Sequence, residues 1–253
     1  MPIDGVCCPI LELRQYALRP GERDVLIDLF EREFIEAQES VGMRIVGQFR
    51  DRDDPDRFVW VRGFRDMPAR AGALASFYGG PVWRRHRDAA NATMIDSDDV
   101  LLLRPVDDGS DFPIPGPATS PVTPARPPVG ASATPTSLIA VTIYELNDPV
   151  DDEYLRFFTE SVEPVLVETG AMSLARLQTE TSENNFPALP VRGGVNAFVW
   201  LARFTNSSEH RDHLVRLRES ATWTREILPR LSRRMSAPPT QLRLAATARS
   251  LLR

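Results

Sequence analysis

Phe58-Val59-Trp60-Val61-Arg62-Gly63-Phe64 and, later in the chain, Phe198-Val199-Trp200-Leu201-Ala202-Arg203-Phe204 are two versions of one stretch. In both, apolar and aromatic side chains alternate at period two, as in a buried strand. A second tryptophan follows each at the same distance: Trp83 lies 23 residues after Trp60, and Trp223 lies 23 after Trp200. A repeated strand with a repeated spacing means that one fold occurs twice in the chain.

Working outward from the first copy, residues 10–16 form a strand, and Pro20-Gly21 turns the chain. Leu26, Leu29, Phe30, Phe34 and Ala37 make one apolar face of a helix over residues 22–40, ended by Gly42. A strand over 43–49 and a polar turn over 51–56 lead into the Phe58 stretch as a hairpin. Asp66-Met67-Pro68 caps a helix to about residue 77, and Gly79-Gly80-Pro81 breaks it. A further helix carries Trp83 and His86 towards Met94, and residues 100–104 are the last strand. The order β-α-β-β-α-α-β predicts a ferredoxin-like unit, an antiparallel sheet with helices on one face.

The pattern returns after residue 137. Strands are expected over 141–146, 171–177, around Phe198 and over 242–246, with helices to residue 168, over 207–219 and over 223–235. The predicted division is a first unit over 6–105, a linker over 106–137 and a second unit over 138–253. Nine prolines between Pro105 and Pro135, mixed with Gly, Ser, Thr and Ala, make the linker an extended tether rather than a core. The halves differ most between the second and third strands: Gly42 precedes Phe58 by 16 residues, whereas Gly170 precedes Phe198 by 28. That longer hairpin loop, residues 178–196, carries Phe186-Pro187-Ala188-Leu189-Pro190 and is expected to act as a lid or an oligomer arm.

Composition narrows the function classes. The chain has 253 residues, 42% of them hydrophobic and 26% charged, with a net charge of −5, so no nucleic-acid footprint is expected. All 30 basic residues are arginine, which removes Schiff-base and phosphate-loop lysine chemistry and is accounted for by the codon usage of a GC-rich bacterial genome. The two cysteines, Cys7 and Cys8, are adjacent and read as strand packing residues in a reducing, cytoplasmic setting. No signal peptide and no apolar run of membrane-spanning length are evident. The expected partners are a small-molecule ligand and a second copy of the chain, with no membrane and no nucleic acid.

Glu12-Leu13-Arg14-Gln15-Tyr16, Arg19-Pro20-Gly21, the stretch from Phe58 to Asp66, Arg70 and Pro81-Val82-Trp83 together resemble a bacterial member of the NIPSNAP family. The likeness is good over residues 9–105 and looser over 138–253, where no Pro-Gly turn follows Leu146 and His210 stands at the position of Arg70. The resemblance implies the dimeric α/β barrel, closed here within one chain by the two units. Relatives on that barrel include cofactor-independent monooxygenases, polyketide cyclases, lactone isomerases and haem enzymes, and fold alone does not choose among them.

The residues offer several sites. Period-two counting puts Phe58, Trp60, Arg62 and Phe64 on one face. An arginine between aromatics needs an anionic partner, either a carboxylate such as Glu12 or Glu145 or a bound oxyanion. Glu12 and Glu145 are read as equivalent, and a carboxylate in an apolar strand can be a general base with a raised pKa. His86, one turn from Trp83, is the best acid/base candidate among three histidines. His210 and His213 can share a helix face but lack a third metal ligand, so no metal site is expected. The leading expectation is a small-molecule enzyme of secondary metabolism using no cofactor. In it Arg62 stabilises an oxyanion, His86 or Glu12 moves a proton, and Trp60, Phe64, Trp83, Tyr16 and Tyr78 hold an apolar substrate. A non-catalytic binding or assembly protein, and a haem enzyme, are the alternatives.

Overall fold

Eight strands close into one barrel in the order β1-β3-β2-β8-β5-β7-β6-β4. They are β1 Ile10–Leu18, β2 Arg44–Asp51, β3 Arg57–Phe64, β4 Met94–Pro105, β5 Leu138–Leu146, β6 Met172–Thr179, β7 Asn196–Phe204 and β8 Thr240–Ala246. The computed structural model describes residues 8–112 and 126–253. The N-terminal stretch with Cys7, and residues 113–125 of the expected linker, lie outside them. The first four strands and the last four each make an antiparallel sheet, joined along two seams. Phe49 faces Ala246 across one, and Leu103 faces Thr179 across the other. Closure leaves neither sheet with an open edge.

Period-two alternation decides what goes inside. Leu11, Leu13, Val59 and Val61 meet Ile139, Val141, Val199 and Leu201 in one apolar cluster in the barrel interior. The other face of each sheet, carrying Trp60, Arg62 and Phe64 in one unit and Trp200, Ala202 and Phe204 in the other, lies under helices. In the first unit these are α1 Arg23–Leu29 and α2 Ile35–Glu39, then α3 Met67–Tyr78 and α4 Pro81–Thr93. The second unit places α5 Asp152–Phe157, α6 Glu163–Glu168, α7 Ser207–Glu219 and α8 Leu228–Arg234 in the same way. Asp66 caps α3 by accepting from the Ala69 amide at 2.6 Å, and Asn206 caps α7 likewise, so each hairpin feeds its helix at a fixed angle.

A one-turn π segment interrupts the first helix of each unit, at Phe30–Phe34 and Phe158–Val162. In the first unit it brings Phe30 edge-on to Trp60, with ring centroids 4.9 Å apart. Strand β4 begins at Met94, earlier than residue 100, because the chain leaves α4 directly into pairing with the end of β1. Cys8 is buried under Gly63 and is disulfide-bonded, which the expectation of two plain packing residues did not include. The end of the proline-rich segment is tied down by Arg126, which donates to Ile45 O at 2.6 Å and to Glu39 at 2.8 Å. Among the described residues no helix is long and apolar enough to cross a membrane.

Candidate functional site

Glu12 lies fully buried on β1, facing Arg62 on the neighbouring strand β3. Three arginines converge on it. Arg14 Nη1 donates to Oε2 at 2.7 Å, Arg62 Nε donates to the same oxygen at 2.7 Å, and Arg70 Nε, reaching down from α3, donates to Oε1 at 2.7 Å. All three guanidinium groups are buried. Arg14 shares the Glu12 face through the strand repeat, whereas Arg70 arrives because Asp66 starts α3 over the sheet.

The remaining donors meet neutral partners. Arg62 Nη1 reaches Gln38 Oε1 at 3.2 Å and the Tyr78 hydroxyl at 3.5 Å, and Arg14 Nε reaches the Tyr16 hydroxyl at 3.0 Å. The Arg62 guanidinium lies 5.0 Å from the Trp60 ring and 5.6 Å from that of Phe64. Such contacts favour a cation but do not neutralise it. Three positive groups around one carboxylate leave an excess of two positive charges in a dry interior. Arg70 Nη2 and Trp60 Nε1 are buried donors with no acceptor among the described residues.

This electrostatic setting corrects the expected role of Glu12. Burial by itself would raise its pKa, but Arg62, Arg14 and Arg70 outweigh that and hold the carboxyl far below its usual range. Glu12 therefore stays ionised and is no proton carrier near neutrality. Burial raises the Tyr16 pKa, keeping its hydroxyl protonated. His86 shares the Phe34 ring with Trp83 but does not reach the cluster. Its Nε2 lies 3.5 Å from Glu33 and its ring packs on Phe34 at 6.3 Å. The structure thus gathers Glu12, Arg62, Trp60, Phe64, Tyr16 and Tyr78 and leaves His86 out. Trp83 stands above them, 4.9 Å from the Tyr78 ring. In place of the expected open pocket over Arg62 the face is packed, with Trp60, Arg62, Phe64 and Arg70 all buried.

What closes the face comes from the other half of the chain. The long loop between β6 and β7 crosses to the first unit. Asn184 Oδ1 and Asn185 Oδ1 accept from Arg70 Nη1 at 3.0 and 2.9 Å. Asn185 Nδ2 donates to Met67 O at 2.6 Å, and the Phe186 ring stacks on Tyr78 at 6.2 Å. Leu189 and Val191 pack on the same apolar cluster. The apolar tip, expected as a lid or an oligomer arm, packs on the first unit of its own chain.

The second unit is the same frame with the charges removed. Glu12 opposes Arg62 as Ala140 opposes Ala202, so Ala140, and not Glu145, is the equivalent of Glu12. Glu145 lies opposite Ala197 and binds Arg192 at 2.5 Å. Thr142 stands for Arg14 and His210 for Arg70. These shorter side chains leave a cavity of about 50 Å³ lined by Thr142, Trp200, His210, His213 and Trp223. In the first unit Arg62 and Arg70, both fully buried, occupy the corresponding space. Burial lowers the pKa of both histidines, that of His213 to about 4. His213 Nδ1 lies 2.9 Å from Thr169 Oγ1, whose hydroxyl donates to Val165 O, so the network assigns the ring proton to Nδ1.

Haem, which the fold admits, does not fit these residues. The cavity is far below the roughly 300 Å³ at which ligand pockets begin, and the matching space in the first unit is full. No group of three or more metal-capable side chains occurs among the described residues.

Comparison with known proteins agrees with this architecture. Residues 11–109 match the NIPSNAP family model. No curated protein matches the chain. Among solved structures, a dye-decolorizing peroxidase of Bacteroides thetaiotaomicron superimposes with a TM-score of 0.55 at 10% identity, covering 98% of this chain and 95% of that one. A proposed monooxygenase of Fusobacterium nucleatum gives 0.53 at 11% identity, covering 95% and 93%. Another, from Lactobacillus acidophilus, gives 0.51 at 11% identity, covering 95% and 97%. At such identities the likeness is one of fold, a ferredoxin-like α/β barrel.

Proposed function

We propose that the first unit, whose residues 11–109 match the NIPSNAP family model, is a small-molecule site that holds an oxyanion against an aromatic wall. The observation that carries this reading is the uncompensated charge: two more guanidinium groups than carboxylates, buried together, with Arg70 Nη2 and Trp60 Nε1 lacking acceptors. Burying unpaired charge costs several kcal/mol per ion, so an anion is the natural complement. Arginine suits it, since its planar fork meets carboxylate or phosphate oxygens two at a time.

The arrangement supports binding rather than acid/base turnover. Glu12 is locked as a carboxylate and His86 faces Glu33. The donors that would stabilise a developing enolate are in place, but neither Glu12 nor His86 stands beside them as a group that takes up and releases a proton. The peroxidase and monooxygenase neighbours share the fold alone and lend no support to either chemistry here.

The test is a thermal melt of the purified protein in sodium phosphate and in sodium chloride at equal ionic strength. Specific binding raises the melting temperature in phosphate, and Arg70→Met removes the difference. An equal response of the two proteins defeats the reading.

A further inference from the structure

The loop over the arginine cluster has the composition of a ligand. Two side-chain oxygens, from Asn184 and Asn185, meet one guanidinium nitrogen of Arg70 at 3.0 and 2.9 Å. One residue further on, an aromatic ring lies face to face with Tyr78, at 6.2 Å and 29°. Two acceptor oxygens beside a flat apolar ring are the groups of an aryl carboxylate. Amide oxygens are neutral, so they satisfy the donor geometry of Arg70 and leave the excess charge of the three-arginine, one-carboxylate cluster unmatched. An incoming carboxylate makes the same contacts and supplies the missing negative charge.

We infer that the 184–186 tip is an intramolecular stand-in, and that the ligand of this site is a carboxylate joined to an aromatic or similarly flat apolar body. This inference rests on the oxyanion reading above and names the ligand class within it. The carboxylate takes the place of the Asn184 and Asn185 oxygens on Arg70, and the ring takes the place of Phe186 on Tyr78.

The tip is built to leave as a unit. Asn184 holds it together, donating from Nδ2 to Leu189 O at 2.9 Å and accepting from the Phe186 amide at 3.2 Å. Its ends are fixed elsewhere: Glu180 N donates to Leu102 O at 2.9 Å, and Arg192 N to Val100 O at 2.8 Å. The two anchors sit on β4, so the tip can lift from Arg70 while the loop stays attached to the barrel. The loop belongs to the second unit and the arginines to the first, so the long hairpin is what makes the two halves one site. Because the tip competes with ligand, apparent affinity is the intrinsic affinity multiplied by the fraction of molecules in which the tip is lifted.

Titration calorimetry tests this with benzoate, acetate, inorganic phosphate and neutral benzamide, followed also by tryptophan fluorescence. Benzoate is expected to bind wild type at least tenfold more tightly than acetate or benzamide. Replacing the tip by Asn184→Ala, Asn185→Ala and Phe186→Ala together is expected to tighten benzoate at least a further tenfold. The pair Asn184→Asp and Asn185→Asp puts carboxylates on Arg70, and is expected to raise the melting temperature and abolish benzoate binding. That pair decides the matter if the triple variant does not fold. Benzoate binding no better than acetate in wild type and in the open variant overturns the ligand class, while phosphate binding in the same experiments leaves the oxyanion reading standing. If no anion binds any variant, both readings fall.

Discussion

Glu12→Gln is the substitution to which the buried cluster is most sensitive. The exchange keeps size and shape but removes the only carboxylate among Arg14, Arg62 and Arg70, each bonded to it at 2.7 Å. Removing one partner of a buried pair costs about 3–5 kcal/mol. Three partners depend on Glu12, so the upper end of that range, about 5 kcal/mol, is the expectation. For a chain of this size each kcal/mol moves the melting temperature by roughly 2–4 °C, so a drop of about 10–20 °C follows. Arg14→Met or Arg62→Met must act more mildly, below about 3 kcal/mol, because each reduces the excess positive charge and leaves Glu12 two partners. Urea denaturation with a common slope measures both. If Glu12→Gln costs less than about 2 kcal/mol, or no more than either arginine substitution, the reasoning from uncompensated charge is wrong.

His213 ties stability to pH. Its folded pKa, lowered to about 4 by burial and by His210, lies below the ordinary 6.5, so the neutral ring is favoured in the folded state. The contribution is complete above pH 6.5 and is lost as pH falls towards 4; His213→Gln should flatten that part of a stability profile. Gly63→Ala places a methyl group 2.3 Å from Cys8 Cβ and 3.2 Å from Leu11, and should cost at least the 1–3 kcal/mol typical of overpacking, read by thermal melting. Adding haem to the purified protein should produce no Soret band, since the space between sheet and helices is only about 50 Å³ in the second unit and is filled by Arg62 and Arg70 in the first; a stoichiometric band would refute this reading of the cavities.

The fold was readable because it rests on local patterns said twice: alternation around Trp60 and Trp200, helix faces, and glycines such as Gly42 and Gly170 that take positive φ. That Arg62 needs an anionic partner was readable too, and of the candidates Glu12, Glu145 and a bound oxyanion it is Glu12 that meets it. Arg14 stood on the same face as Glu12 and Tyr16 and was passed over, although the period-two count that selected Trp60 also selects it. The repeat misled once. Matching Glu12-Leu13 to Glu145-Leu146 put two glutamates in register, whereas Tyr16 and Tyr144 are the true equivalents, opposite Phe58 and Phe198. Other features had no local signal. Arg70 meets Glu12 only when α3 folds over the sheet, and Asn184 and Asn185 meet Arg70 only when the halves assemble. His86 failed as a candidate for the same reason: one-turn spacing from Trp83 says which face it shares, not what that face packs against.

A crystal of the protein soaked in 4-bromobenzoate, with data collected at the bromine edge, tests the central claim most directly. The account predicts an anomalous peak beside Tyr78, carboxylate density on Arg70, and the 184–186 tip lifted away. No bromine peak at that place, with Asn184 and Asn185 still on Arg70 at saturating soak, would contradict it.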